Sequence, residues 1–179
     1  TSAVTGEGIE ALVDTLAQTV REVEASEQTL SELPARLFVD RVFSVSGAGT
    51  VVTGTLSSGS ICAGDEFVIA GTGQSVSVRS VQRHGTNCDH IAAVRRTAIN
   101  LSGVSATDLG RGDVIVAAAR WIHTDVVDVQ VELVEGATIR NGKGFSAHIG
   151  SARRDITLRP VGGPDGAQRG WFRMRFPNA

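Results

Sequence analysis

Polar and apolar positions along the chain follow two different periods. Ile9, Leu12, Val13, Leu16 and Val20 recur at the spacing of a helix with one apolar face, and Glu7 and Glu10 stand at its start, where the helix dipole favours acidic side chains. A lone amphipathic helix is not stable without covering that face, so the pattern predicts a partner domain upstream of Thr1. Residues 21–34, REVEASEQTLSELP, are acidic, lack periodic apolar positions and end in Pro34, which predicts a linker.

From Arg36 the period falls to two. Strands are predicted over 36–43, 50–56, 66–70, 75–83, 96–101 and 113–117, separated by Ser57-Ser58-Gly59, Ala63-Gly64-Asp65, Gly71-Thr72-Gly73, a loop through Asn87, and Gly110-Arg111-Gly112. Short strands with turn residues between them describe a small β-barrel. The first two form a hairpin through Ser46-Gly47-Ala48-Gly49, with the charged pair Asp40-Arg41 near the end of the alternating stretch. Gly54, inside Thr53-Gly54-Thr55, marks a bulge or a close approach to the backbone. Val76, Val78 and, after a bulge, Val81 form an inward face, while Ser75, Ser77 and Arg79 face out.

The pattern restarts after Trp121. Val127, Val129, Val131 and Leu133 alternate with Asp128, Gln130 and Glu132, and strands are predicted over 125–133, 145–150, 155–159 and 171–176, with Gly162-Gly163-Pro164-Asp165-Gly166 as a turn or mobile loop. Four strands are few for an independent barrel, so this second β domain is expected to be truncated.

Composition narrows the class without naming a chemistry. Hydrophobic residues make up 41% of 179, enough for a packed core, and aromatics only 4% beside 21 glycines, which suits a β-rich chain with many tight turns. A net charge of −2 gives no overall cationic field, so any RNA contact has to come from local patches. Cys62 and Cys88 lack the spacing of a zinc site and read as reduced thiols of a cytosolic protein. His90, His123 and His148 show no mutual metal-binding spacing. No apolar run approaches the roughly 20 residues that span a bilayer, so the chain is expected to be cytoplasmic, with no membrane partner. No nucleophile elbow, HExxH motif or distinctive carboxylate pair appears, and the GxxxxGK[ST] phosphate loop is absent.

Asp40-Arg41-Val42-Phe43 followed by Gly47-Ala48-Gly49-Thr50-Val51-Val52-Thr53-Gly54-Thr55 resembles the second domain of translational GTPases, and most of all the selenocysteine-specific elongation factors. Ser2-Ala3, then Thr5-Gly6-Glu7-Gly8-Ile9 and a Leu-spaced helix, looks like the last guanine-recognition loop and final helix of a GTPase domain. The resemblance implies a mainly β architecture in four parts: residues 1–24 as the end of a GTPase domain, 25–35 as linker, 36–118 as the domain 2 β-barrel and 119–179 as a partial domain 3 β-barrel.

It also implies site residues. Asp40 and Arg41 would help line a pocket for the aminoacyl group. Arg96, in Arg95-Arg96-Thr97-Ala98-Ile99-Asn100-Leu101, maps to the basic member of the family's Arg-x-Ala-x-Asn-Leu strand, and His84 matches a histidine facing the same pocket. The chain departs from the pattern at Val94, where the family usually has Gly, which bears on the aim of Arg96. Ser2 and Ala3 would face the guanine base. His148-Ile149-Gly150-Ser151-Ala152 resembles a third-domain strand near the tRNA stems, and Arg153, Arg154, Arg159, Arg169, Arg173 and Arg175 form a local basic excess suited to phosphates.

The implied function is GTP-dependent binding of selenocysteinyl-tRNA and its delivery to the ribosome at recoded UGA codons. GTP and Mg²⁺ would be held by an upstream GTPase domain, leaving this chain without enzymatic activity of its own. Two alternatives stand beside it: an elongation factor Tu-like or other translational GTPase, distinguished by the residues at the Asp40-Arg41 position, and a plain β-barrel interaction module with no tRNA role.

Overall fold

The computed structural model describes residues 1–83, 85–118, 120–135, 139, 144–162 and 169–177. Its elements, in chain order, are α1 (Ile9–Ser31), β1 (Arg36–Val45), β2 (Gly49–Ser58), β3 (Ser60–Cys62), β4 (Glu66–Ile69), β5 (Ser75–Arg83), β6 (Thr86–Cys88), β7 (His90–Ala92), β8 (Arg95–Ser102), a short 3-10 turn (Ala106–Asp108), β9 (Val114–Ala117), β10 (Val126–Glu132), β11 (Phe145–Ile149), β12 (Ala152–Gly162) and β13 (Arg169–Arg175). The chain is mainly β, as expected. The predicted strands fall on β1, β2, β4, β5, β8 and β9, then on β10 to β13. The three-residue strands β3, β6 and β7 had no counterpart among the expectations.

The helix is longer than expected. It runs to Ser31, through residues 25–31 that were read as linker. The periodic apolar residues that signal a helix thin out after Val20, but Glu22, Glu24, Ala25, Glu27, Gln28 and Leu30 favour the helical state on propensity alone. Pro34 disfavours helix at the residue before it, and the chain leaves at Glu32, with the Leu33 amide donating to the Leu30 carbonyl. The apolar stripe of α1 is open: Ile9, Leu12, Val13, Leu16 and Val20 are 39–56% exposed. The C-terminal end of α1 meets the barrel, where Leu30 packs against the core and the Gly59 amide donates to the Leu30 carbonyl at 2.9 Å.

Strands β4-β9-β1-β2-β8-β5 are hydrogen-bonded in that order, and a further β4–β5 pairing closes them into a barrel, with β6 continuing from β5. Closure removes the unpaired edges that an open sheet of this size would present. Leu37, Val39, Val52, Leu56, Ile61, Val76, Val81, Ile99, Leu101 and Ile115 fill the interior. Full burial of each is worth about 1.5–3 kcal/mol relative to exposure.

Besides a register shift at the start of β1, between Arg36 and Leu37, two bulges interrupt the barrel ladders. One lies in β5 between Val78 and Ser80, where Val76, Val78 and Val81 all point inward as the spacing predicted. The other lies in β1: Val39 pairs with Gly54 and Arg41 with Thr53, leaving Asp40 without an opposite residue. Gly54 is required there. A Cβ on it would lie 2.0 Å from the Phe38 carbonyl oxygen, so the close approach expected from its place in the strand is real.

The second unit is an antiparallel sheet of order β10-β13-β12-β11, with Ile156, Leu158 and Phe172 buried against Val129, Val131 and Met174. The Gly162–Gly166 segment lies largely outside the described residues. The turn between β11 and β12 seats on β1: the Ser151 hydroxyl donates to the Val39 carbonyl at 2.6 Å, and Gly150 faces the Phe38 ring. A second joint is aromatic. Arg36 lies between the rings of Phe38 and Trp121, its guanidinium carbon 5.0 and 4.7 Å from their centroids, and the Trp121 indole donates to the Ala35 carbonyl at 3.2 Å. Burial lowers the Arg36 pKa from its ordinary value, yet an arginine stays charged.

Candidate functional site

The β1 bulge changes which side chains face outward. Before it, Leu37 and Val39 point into the core; after it, Val42 packs against the core while Arg41 and Phe43 are exposed. A regular strand would send Asp40 and Arg41 to opposite faces, and the extra residue puts both on the outer one. Register carries the same face across the barrel. Arg41 lies opposite Thr53, Thr53 opposite Ala98, and Ala98 opposite Gln82, so β1, β2, β8 and β5 each contribute to one row.

That row floors an open depression of ≈ 410 Å³, lined by Arg41, Phe43, Thr53, Gln82, Gly85, Arg96, Thr97 and Ala98. Arg96 stands two residues before Ala98, on the same face of β8. Its guanidinium reaches the Asp40 carboxylate at 3.1 Å, and the side chains are unequally covered, Arg96 being 70% exposed and Asp40 17%. Asp40 therefore acts from behind, holding Arg96 while leaving most of its guanidinium open. Arg41 makes no hydrogen bond or ion pair among the described residues. Two guanidinium groups and one carboxylate leave the depression with an uncompensated positive charge, which suits a small anion.

Neighbouring polar groups fix the wall. The buried Thr97 hydroxyl donates to the Gln82 carbonyl at 3.0 Å, and the Gln82 amide nitrogen donates to the Asn87 side-chain oxygen at 2.9 Å. Arg96, two residues beyond Val94, pairs in register with Thr55. Of the four residues expected at the pocket, the structure brings Asp40, Arg41 and Arg96 together. His84 lies outside the described residues. Thr53, Gln82 and Phe43 were not anticipated, and only the strand register reveals them.

Ser2 and Ala3 belong to a separate tight loop. The Ser2 amide donates to the Glu7 carbonyl at 2.9 Å, its hydroxyl accepts from the Thr5 amide at 3.3 Å, and its carbonyl accepts from the Gly6 amide at 2.9 Å. Ala3 is exposed. No group of three or more His, Cys, Asp or Glu suited to a metal ion occurs among the described residues.

Three of the six C-terminal arginines pair with carboxylates. Arg173 makes two hydrogen bonds with Asp128 at 2.8 and 2.9 Å, Arg169 reaches Glu132 at 2.8 Å and Arg153 lies 3.8 Å from Asp155. The Arg173 hydrogen bond holds the Asp128 carboxyl below its usual range, and Asp128 in turn raises the Arg173 pKa. Arg159 and Arg175 remain on an open groove of ≈ 640 Å³ with Thr157, Pro160, Val161 and Arg173. No helix among the described residues is long and apolar enough to cross a membrane.

A closed barrel of this strand order, preceded by a helix and followed by a second antiparallel unit, is the arrangement of a translation elongation factor, and residues 49–116 match the elongation factor Tu domain 2 family. The relatives sharpen that class. Selenocysteine-specific elongation factors from Desulfomicrobium baculatum, Haemophilus influenzae and Escherichia coli are 39, 37 and 34% identical over 88, 73 and 70% of the chain. The chain belongs with the selenocysteine-specific elongation factor family. It spans about a quarter or less of those relatives' length, 24, 20 and 19% respectively. A crystal structure of a bacterial selenocysteine-specific elongation factor, EF-Sec, superposes on 99% of the chain with a TM-score of 0.82 at 28% identity, the chain covering 28% of it. The apo structure of elongation factor SelB from Methanococcus maripaludis shares the fold, with a TM-score of 0.73 over 98% of this chain and 42% of that one.

Proposed function

We propose that this chain is the part of a GTP-dependent elongation factor that holds the aminoacyl end of selenocysteinyl-tRNA for delivery to the ribosome at recoded UGA codons. In this reading residues 1–24 close a GTPase domain, with Ser2 and Ala3 against the guanine base and GTP and Mg²⁺ held by residues upstream. Residues 36–118 form the domain that carries the aminoacyl pocket, and 119–179 belong to the domain that meets the tRNA stems. Arg159 and Arg175, which lack a carboxylate partner among the described residues, are the arginines there best placed for phosphates.

The observation that carries the reading is the pairing of Arg41 and Arg96 on one depression, with Asp40 behind Arg96. A selenol is more acidic than a thiol or hydroxyl and is largely anionic near neutral pH. Two guanidinium groups distinguish it from serine by charge, and a charge-assisted hydrogen bond is worth roughly 1.5–3 kcal/mol. Asp40 orients Arg96 and stays away from the anion, which it would repel.

The test is filter binding of selenocysteinyl- and seryl-tRNA to the longer factor that carries this segment, across pH. Preference for selenocysteinyl-tRNA should be largest where the selenol is ionised and fade as acid protonates it. A preference that does not change with selenol ionisation contradicts the reading.

A further inference from the structure

The β11–β12 turn reaches the pocket through the backbone of β1. Val39, the last regular residue before the bulge, is held at both ends of its backbone: its amide donates to the Asp113 carbonyl at 2.9 Å, and its carbonyl accepts from the Gly112 amide at 3.1 Å and from the Ser151 hydroxyl at 2.6 Å. The carbonyl of Val39 and the amide of Asp40 belong to one planar peptide unit, so fixing that oxygen fixes the direction in which Asp40 leaves the strand. Asp40 has no cross-strand partner of its own, and at a bulge the ladder no longer dictates the backbone direction.

Gly150 provides the seat for this contact. It has φ +57°, and a Cβ on it would fall 2.2 Å from the Phe38 ring, so only glycine lets the turn close on β1. Gly112, at φ +96°, is less tightly placed against Ala152, at 3.2 Å for an added Cβ. Glycines from both sides of the joint thus bring Ser151 to the one carbonyl that adjoins Asp40.

We propose that Ser151 is a positioning residue for the pocket: through the Val39–Asp40 peptide it sets Asp40, and through the Asp40 ion pair it sets the aim of Arg96. The consequence for specificity rests on the aminoacyl-pocket reading above, whereas the mechanical coupling does not. Docking of the second β unit is then part of what shapes the pocket. A movement of that unit that withdraws Ser151 frees the bulge and loosens Arg96.

The test uses ¹⁵N-edited NMR of the 179-residue chain with Ser151→Ala, Ser151→Thr and Gly150→Ala. Ser151→Ala should move the amide resonances of Asp40 and Arg41 and the Arg96 Nε–H, and Ser151→Thr, which keeps the hydroxyl, should restore them. Perturbations confined to Val39, Gly112 and the turn itself would overturn the coupling. Gly150→Ala should reproduce the Ser151→Ala pattern if it folds, and the serine pair decides the question if it does not. In the longer factor, Ser151→Ala should weaken selenocysteinyl-tRNA roughly three- to tenfold, the loss of one ordinary hydrogen bond, with seryl-tRNA little changed. If wild-type factor shows no preference between the tRNAs, the pocket reading fails while the resonance shifts still decide the coupling. If preference is present and Ser151→Ala leaves both it and the pocket resonances unchanged, the coupling fails and the pocket reading stands.

Discussion

The barrel and the C-terminal sheet both present arginines on exposed strand faces, and Arg41 and Arg96 on the one are held differently from Arg169 and Arg173 on the other. On the sheet, Arg173 and Arg169 stand directly across the ladder from Asp128 and Glu132, and each is neutralised by its cross-strand partner. On the barrel, Arg41 stands opposite Thr53, and the one nearby carboxylate, Asp40, is committed to Arg96. The contrast teaches that the availability of a cation depends on the residue one strand away. The bulge in β1 creates that availability, because it places consecutive residues, one acidic and one basic, on a face where only one of them would otherwise appear.

Breaking the bulge should have the largest effect. Gly54→Ala drives a methyl group into the Phe38 carbonyl, and backbone cannot yield as a flexible side chain can. The expected cost is about 3 kcal/mol or more, read as a lowered urea midpoint. Truncating the barrel core comes next. Leu56→Ala, at a fully buried position, should cost about 2–5 kcal/mol by the same measurement.

The exposed pair on the sheet should matter least. Asp128→Asn should leave the urea midpoint nearly unchanged, because solvent screens the interaction. Its signature is in the titration. The Asp128 pKa is lowered in the folded state, so the pair's contribution is fully present above the ordinary carboxylate range and is lost as the pH falls through the lowered value. Carboxyl ¹³C shifts should place the Asp128 midpoint below that range in the wild type, and Arg173→Ala should return it upward.

Much of this was legible in the sequence, and the omissions have physical causes. The barrel strands announced themselves by alternation and turn residues, and the β5 bulge by Val78 and Val81 standing three apart between polar neighbours. The β1 bulge carries the same spacing in Val39 and Val42 but was hidden, because Phe38 and Phe43 add apolar residues to the outer face. Phe38 can be apolar there since the Gly150 turn and Arg36 cover it. The last two turns of α1 were missed because propensity, not periodicity, sustains them. Asp40 and Arg96 could be suspected of sharing a site by family resemblance alone. Their contact spans β1, β2 and β8, a register that no local pattern encodes. The pairing of Arg169 and Arg173 was hidden for the same reason, since Glu132 and Asp128 lie 37 and 45 residues away along the chain.

The most direct measurement compares Arg41→Ala, Arg96→Ala and Arg173→Ala in the longer factor, each tested by filter binding with selenocysteinyl- and seryl-tRNA. Arg41→Ala and Arg96→Ala should each lower affinity for selenocysteinyl-tRNA by about tenfold or more, at roughly 1.4 kcal/mol per decade, while seryl-tRNA binding hardly changes and Arg173→Ala leaves the preference intact. Equal loss for both tRNAs on Arg41→Ala or Arg96→Ala would make these arginines phosphate or structural residues and would contradict the account.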